Sequence, residues 1–129
     1  MADIKNYYSE SELQEFKEII IKKMTDSKDE LNFLQDQIQR SSEELSESRS
    51  AGLDNGSLTM GKENLNKMAA RQAKYIHHLE NALIRIENKS YGICRVTGTL
   101  INKDRLKVVP HATLSVAAKN SRRNDNRNT

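Results

Sequence analysis

Apolar residues return every few positions through the first third of the chain, at Leu13, Phe16, Ile20, Met24, Leu31, Leu34, Ile38 and Leu45, with polar and charged residues between them. That spacing lines one face of an α-helix. Met24, Leu31, Ile38 and Leu45 repeat every seven residues, and the four-residue step from Ile20 to Met24 is a stutter in the heptad. Ser9 or Ser11 supplies the start, because a serine hydroxyl caps an orphan amide and the glutamates of Ser-Glu-Ser-Glu suit the helix N-terminus. No glycine or proline interrupts the run before about Arg49. The pattern predicts a helix of about 40 residues, roughly 60 Å at 1.5 Å per residue. A helix that long points to a coiled coil.

The stretch SRSAGLDNGSLTMGKEN breaks this pattern with Gly52, Gly56 and Gly61, and Asn55-Gly56 is a strong turn signal. A second helix is expected from Leu58 or Lys62 to Asn88. Its stripe is Leu65, Ala69, Gln72, Ile76, Leu79, Leu83 and Ile86, in alternating steps of four and three. Two heptad helices joined by a short glycine-rich reversal predict an antiparallel hairpin. Gln72 is polar within the seam and reads as a register-setting contact. His77 and His78 read as solvated helix residues.

After Ser90 the period changes. Tyr91-Gly92 turns the chain, and Ile93, Val96, Leu100 and Ile101 predict two short strands around Thr97-Gly98. Residues 104–110 read as a connector, and Ala112–Lys119 as one short helix after Pro110. The expected fold is mainly α: a long antiparallel coiled-coil hairpin over 9–90 with a tip loop at about 49–61, then a small finger-like knob over 91–120 made of a short β-hairpin plus a helix. Residues 1–8 read as a flexible N-terminus and 121–129 as a disordered basic tail.

Composition fits thin helical packing. Of 129 residues, 30% are charged and 5% aromatic, with no tryptophan and one proline, too little apolar material for a thick core. Lys+Arg is 21 against Asp+Glu 18, a net charge of +3, and no sequence-specific DNA binding is expected from so even a balance. A single cysteine excludes an internal disulfide and fits a reducing compartment. No apolar run approaches the ~20 residues of a membrane span, and the first residues lack the basic and apolar regions of a signal peptide. These features predict a cytoplasmic protein. No nucleophile–base set, phosphate-cradling loop or metal quartet is visible, so no enzyme is expected.

The motifs of the last third carry a resemblance. Tyr91-Gly92-Ile93-Cys94-Arg95-Val96-Thr97-Gly98, then Arg105-Leu106, then Pro110-His111-Ala112 and the following short segment, together with YYSESELQEF near the start and HHLENALIRIENKSYGIC before the knob, resemble the DksA/TraR family of RNA polymerase-binding transcription regulators. In that family the knob is a four-cysteine zinc finger. The resemblance places the four metal positions at Cys94, Thr97, Ser115 and Ala118, of which one is a thiolate. Structural zinc takes thiolate or imidazole ligands, so the resemblance implies a finger without metal. Something must replace the folding energy of the metal. The apolar candidates are Ile93, Val96, Leu100, Ile101, Leu106, Val108, Val109, Leu114 and Val116, with Cys94 as a small buried residue.

The resemblance further implies that RNA polymerase is the partner and that the hairpin tip enters its secondary channel to modulate promoter complexes. The family's tip motif falls on Ala51, Asp54 and Gly56, of which Asp54 alone matches; Asp54, Asn55 and Gly56 are the candidate tip residues. Read without the family, Asp54 makes an Asp-Asn-Gly turn. The positions that hold guanosine tetraphosphate in some members map onto His78, Val109 and Lys119, where Lys119 alone keeps a lysine. Arg71 and Arg105 also match basic positions. A highly charged anion needs several cations together, so no cofactor is expected here. The hairpin would satisfy itself as a monomer. The rival reading is a coiled-coil interaction protein or homodimer with no polymerase role.

Overall fold

The computed structural model describes residues 7–53, 55–115 and 118–120. Among these residues the longer helices follow in order as α1 (Glu10–Ser50), α2 (Gly56–Glu87) and α3 (Lys103–Val108). The chain divides into two compact units, Met1–Lys22 with His78–Thr129, and Lys23–His77. The fold is mainly α, with the long helices α1 and α2 packed together as an antiparallel coiled-coil hairpin. The expected residues 1–6, Asp54, Val116, Ala117 and the basic tail 121–129 lie outside the described residues.

The helix ends are specified by local chemistry. Ser9 opens α1 with a capping box: its hydroxyl accepts from the Glu12 amide at 3.2 Å, and the Glu12 carboxylate accepts from the Ser9 amide at 3.3 Å. At the other end the Gly52 amide donates to the Arg49 carbonyl at 3.0 Å and the Leu53 amide to the Ser48 carbonyl at 2.9 Å. With Gly52 at φ 76° this is a Schellman motif, which needs a left-handed residue at that place. Asn55 then caps α2, its side-chain oxygen accepting from the Leu58 amide at 3.4 Å. That cap starts α2 at Gly56, ahead of the predicted Leu58, and shortens the loop from 49–61 to five residues, 51–55.

The Lys23–His77 unit has a thin core. Leu34, Leu45 and Ile76 are buried there, while Met24, Leu31, Ile38, Leu65, Ala69 and Gln72 are half-buried. Ser27 is also buried, in the seam step between Met24 and Leu31. The seam is therefore interrupted by a polar residue on each helix.

The other unit is denser. Leu13, Phe16 and Ile20 of α1 and Leu79 and Ala82 of α2 are buried together with Tyr91, Cys94, Ile101, Leu106 and Pro110. Tyr8, Phe16 and Tyr91 form an aromatic cluster, with ring centroids 5.2 Å apart for the first pair and 5.3 Å for the second. The short hairpin is present as one antiparallel bridge, Ile93 with Leu100, and no extended strand occurs among the described residues. The Cys94 amide bonds the Thr99 carbonyl at 2.7 Å and the Gly98 amide bonds the Cys94 carbonyl at 2.8 Å, so the loop closes tightly on itself before a ladder can grow.

Two local readings need correction. The expected connector 104–110 contains α3, because Asn102 caps it, accepting from the Asp104 amide at 2.9 Å. The helix expected from Ala112 does not begin there: residues 112–115 are non-helical and helix is described at 118–120. Its cap is Ser115, whose hydroxyl accepts from the Ala118 amide at 3.2 Å.

Candidate functional site: a finger without a metal quartet

Cys94 sits at the centre of the finger, fully buried. Burial pushes its thiol up, but hydrogen bonds from the Thr97 hydroxyl and from the backbone amides of Ser115, Thr97 and Val96 outweigh that and bring it down to about 6. The Ser115 amide lies 3.4 Å from Sγ. The loop thus cradles a sulfur in donors, the arrangement a metal-bound thiolate would use.

The remaining three positions do not complete a metal site. Thr97 Oγ1 is engaged with Thr99 Oγ1 at 2.7 Å, Ser115 Oγ caps the helical turn at 118–120, and Ala118 has no donor atom. Among the described residues no group of three or more His, Cys, Asp or Glu is placed to hold a metal ion. One thiolate and two occupied hydroxyls do not fit tetrahedral structural zinc.

Hydrogen bonds onto loop carbonyls hold the finger instead, together with a smaller apolar set than the sequence proposed. The Tyr8 hydroxyl donates to the Ile101 carbonyl, and the Tyr91 hydroxyl to the Pro110 carbonyl at 2.7 Å. Arg85 of α2 donates to the His111 carbonyl at 3.4 Å, and Arg105 of α3 to the Leu114 carbonyl at 3.0 Å. Burial pushes the Tyr91 hydroxyl well above its ordinary range, so it stays a neutral donor. Ile101 and Leu106 are fully buried; Ile93, Leu100, Val109 and Leu114 are half-buried, whereas Val96 and Val108 are exposed and contribute little. The tyrosines were missed because neither lies in a periodic stripe.

Several of the expected basic contacts come together. Arg105 and Lys119 line one open groove of about 230 Å³ with Val109, His111, Ala112, Thr113 and Leu114. His78 is half-buried rather than solvated, and its ring stacks on His111 with centroids 5.4 Å apart and planes 12° from parallel. Burial first, then the neighbouring His78, Arg85 and Arg105, hold His111 below the usual imidazole range. Arg71 is exposed in the Lys23–His77 unit. Of the tip residues, Asn55 is the cap of α2 and Gly56 its first residue, while Asp54 lies outside the described residues.

This geometry meets its counterpart among known proteins. The family model described as the prokaryotic dksA/traR C4-type zinc finger matches residues 89–123. Over those residues the chain is similar to the DksA/TraR finger. Of the four metal positions that the sequence resemblance implies, this stretch has the thiol Cys94 and three residues of other kinds, Thr97, Ser115 and Ala118. The RNA polymerase-binding transcription factor DksA of Caulobacter vibrioides, from either of two strains, is 48% identical over 48 residues, which is 37% of this chain and 34% of that protein. The match therefore spans about a third of the curated relatives' length. Among solved structures, transcription factor DksA2 from Pseudomonas aeruginosa superposes with a TM-score of 0.77, covering 91% of this chain and 87% of that one at 19% identity. That likeness shows the same fold.

Proposed function

We propose that the chain is a non-enzymatic transcription regulator that binds RNA polymerase, with the 9–90 hairpin presenting its tip to the polymerase secondary channel and the 91–120 finger as a metal-free docking knob. The observation that carries this reading is the joint one: a DksA/TraR finger at residues 89–123 on a chain whose fold follows a DksA-type factor over 91% of its length. A relative of the same family is named as RNA polymerase-binding. The tip supports it chemically. A Schellman motif on one side and the Asn55 cap on the other leave a loop of five residues, 51–55, which carries the single acid Asp54. One acid does not make an active site, so the tip acts on the polymerase's own equilibria. Arg105 and Lys119 in the finger groove, His78 beside it, and Arg71 on α2 are the proposed polymerase or anion contacts. Among the described residues no helix is long and apolar enough to cross a membrane.

The test is co-migration with bacterial RNA polymerase core on a sizing column, with wild type and Asp54→Asn compared. Binding by both, with loss of the effect on promoter-complex lifetime in the variant, supports the tip reading. Binding and unchanged effect in the variant confine the function to the knob and helices. No binding by wild type moves the chain to a coiled-coil interaction role.

A further inference from the structure

Asn55 is the one asparagine in the chain that is followed by glycine. It caps α2, but loosely: its Oδ1 accepts from the Leu58 amide at 3.4 Å, and its Nδ2 donates to Ser48 Oγ at 3.5 Å. Both lie beyond the usual range of an N–H···O bond. The asparagine cap of α3 differs on both counts: Asn102 accepts from the Asp104 amide at 2.9 Å, and the residue after it is Lys103. Gly56 is exposed, and a Cβ there would meet nothing within 4 Å among the described residues. Its φ is not left-handed, so neither backbone geometry nor packing against those residues calls for glycine at this place. As the first residue of α2 it has an amide without an intrahelical acceptor. A weakly held carboxamide therefore sits beside an unshielded backbone nitrogen.

We propose that Asn55–Gly56 is a self-modifying site, at which the Gly56 nitrogen attacks Asn55 Cγ and the tip loop gains a second carboxylate by loss of ammonia. The N–Cγ bond forms, the Cγ–Nδ2 bond breaks, and the amide proton of Gly56 leaves with the side-chain nitrogen as ammonia. The product is a cyclic succinimide, which water opens at one of its two carbonyls. Opening at Cγ restores the main chain with an aspartyl carboxylate at position 55. Opening at the backbone carbonyl leaves the main chain running through the side-chain carbons, with the α-carboxylate free. The balance is one water in and one ammonia out, with no oxidant or reductant. Glycine suits the attack because it sets no Cβ beside the nitrogen and restrains the backbone least. The two products act on α2 in opposite directions. The aspartyl form keeps the cap and puts an anion at the helix N-terminus, where it is favoured. The β-linked form adds a methylene to the main chain at the cap and breaks its register. Either way the loop 51–55 passes from the single acid Asp54 to two. The reaction lies within this chain and stands apart from the polymerase reading.

The experiment incubates the folded full chain in mildly alkaline buffer and reads peptide maps by mass spectrometry. Enzymatic methylation of β-linked aspartyl groups separates the two products. Carboxylate accumulates at Asn55 ahead of Asn102, in both linkages. Gly56→Ala has room for its methyl and keeps a helical backbone, so it stays folded and slows the conversion by about tenfold. A folded chain that stays intact at Asn55 overturns the proposal; if denaturant then starts the conversion, the cap is what shuts the reaction. Equal rates at Asn55 and Asn102, or an unchanged rate in Gly56→Ala, overturn it as well.

Discussion

The two units of this chain are held by different means. In Lys23–His77 the helices meet along a narrow apolar seam with Ser27 and Gln72 set into it, and the ends that meet at the reversal are capped by specific bonds. In the finger unit the seam is joined by an aromatic cluster and by side-chain donors that each fix one loop carbonyl. A heptad seam is a repeating device that tolerates substitution at any one step, because each step contributes little beyond its buried area. A finger with one thiol among its four implied metal positions has no repeat to fall back on, so its few specific bonds carry more of the stability. Single substitutions should therefore be costly in the finger and mild in the hairpin.

The largest effect is expected at Gly92. A Cβ there would lie 2.5 Å from Tyr8 Cε2 and 3.3 Å from Leu106 Cδ1, and its φ of 78° already disfavours any side chain. Gly92→Ala must displace the Tyr8 ring, and with it the bond to Ile101 and the packing on Phe16. We expect a loss of about 3 kcal/mol, combining left-handed backbone strain with overpacking, read as a lowered thermal midpoint by circular dichroism. A loss below about 1 kcal/mol would mean that Tyr8 is not a clamp and that the contrast between the units is overdrawn.

Tyr91→Phe comes next. The ring is fully buried and can keep its packing, so the change isolates the bond to Pro110 and leaves that carbonyl without its donor. The expected cost is about 1–2 kcal/mol, measured by denaturant unfolding. If Phe is neutral, the loop is held by its arginines alone.

The hairpin answers in the opposite direction. Gln72 Oε1 is buried and lacks a hydrogen-bond partner, in a seam whose other buried polar residue is Ser27 on α1. Gln72→Leu should stabilise by about 1 kcal/mol, since an unsatisfied buried polar atom costs that much or more. Because a polar seam residue also fixes register and copy number, the same variant should be tested by sedimentation for a shift toward higher oligomers. Stabilisation without any shift would leave Gln72 with no register-setting role.

The seam was the legible part of the sequence. Period and length alone give both long helices, because each buried face repeats along tens of residues. Ser27 and Ala82 were not legible in that way: both occupy buried positions, but neither stands out by hydrophobicity. α3 was read as connector although Asn102-Lys103-Asp104 carries a capping signal, because the helix has six residues and too short a period to count. The finger's replacement for metal was the least legible feature. Tyr8 and Tyr91 lie 83 positions apart in number and both pack on Phe16, and the amides around Cys94 have no side-chain signature at all. The resemblance implied four metal positions; it could not show that Ser115 caps the helical turn at 118–120.

The smallest effect gives the sharpest comparison, because the two long helices end in the same motif with different residues. α1 closes on Gly52 at φ 76°, and α2 closes on Lys89 at φ 62°, where the Lys89 amide bonds the Ile86 carbonyl at 3.1 Å and the Ser90 amide bonds the Arg85 carbonyl at 2.9 Å. Lysine in the left-handed region costs roughly 1–2 kcal/mol relative to a right-handed conformation. Its ammonium pairs with Glu10 at 3.3 Å, but both side chains are largely exposed, so the pair returns little. Lys89→Gly relieves the strain, gives up the pair and adds freedom to the unfolded chain, for a net gain of about 0.5 kcal/mol. Gly52→Lys, the reciprocal change in the other unit, should lose about 1 kcal/mol. Because Gly52 has open space around its missing Cβ, that loss would be backbone strain alone. If Lys89→Gly instead destabilises, the Glu10 pair is tying α1 to the start of the finger, and the finger unit owes part of its stability to a surface charge that this geometry ranks last.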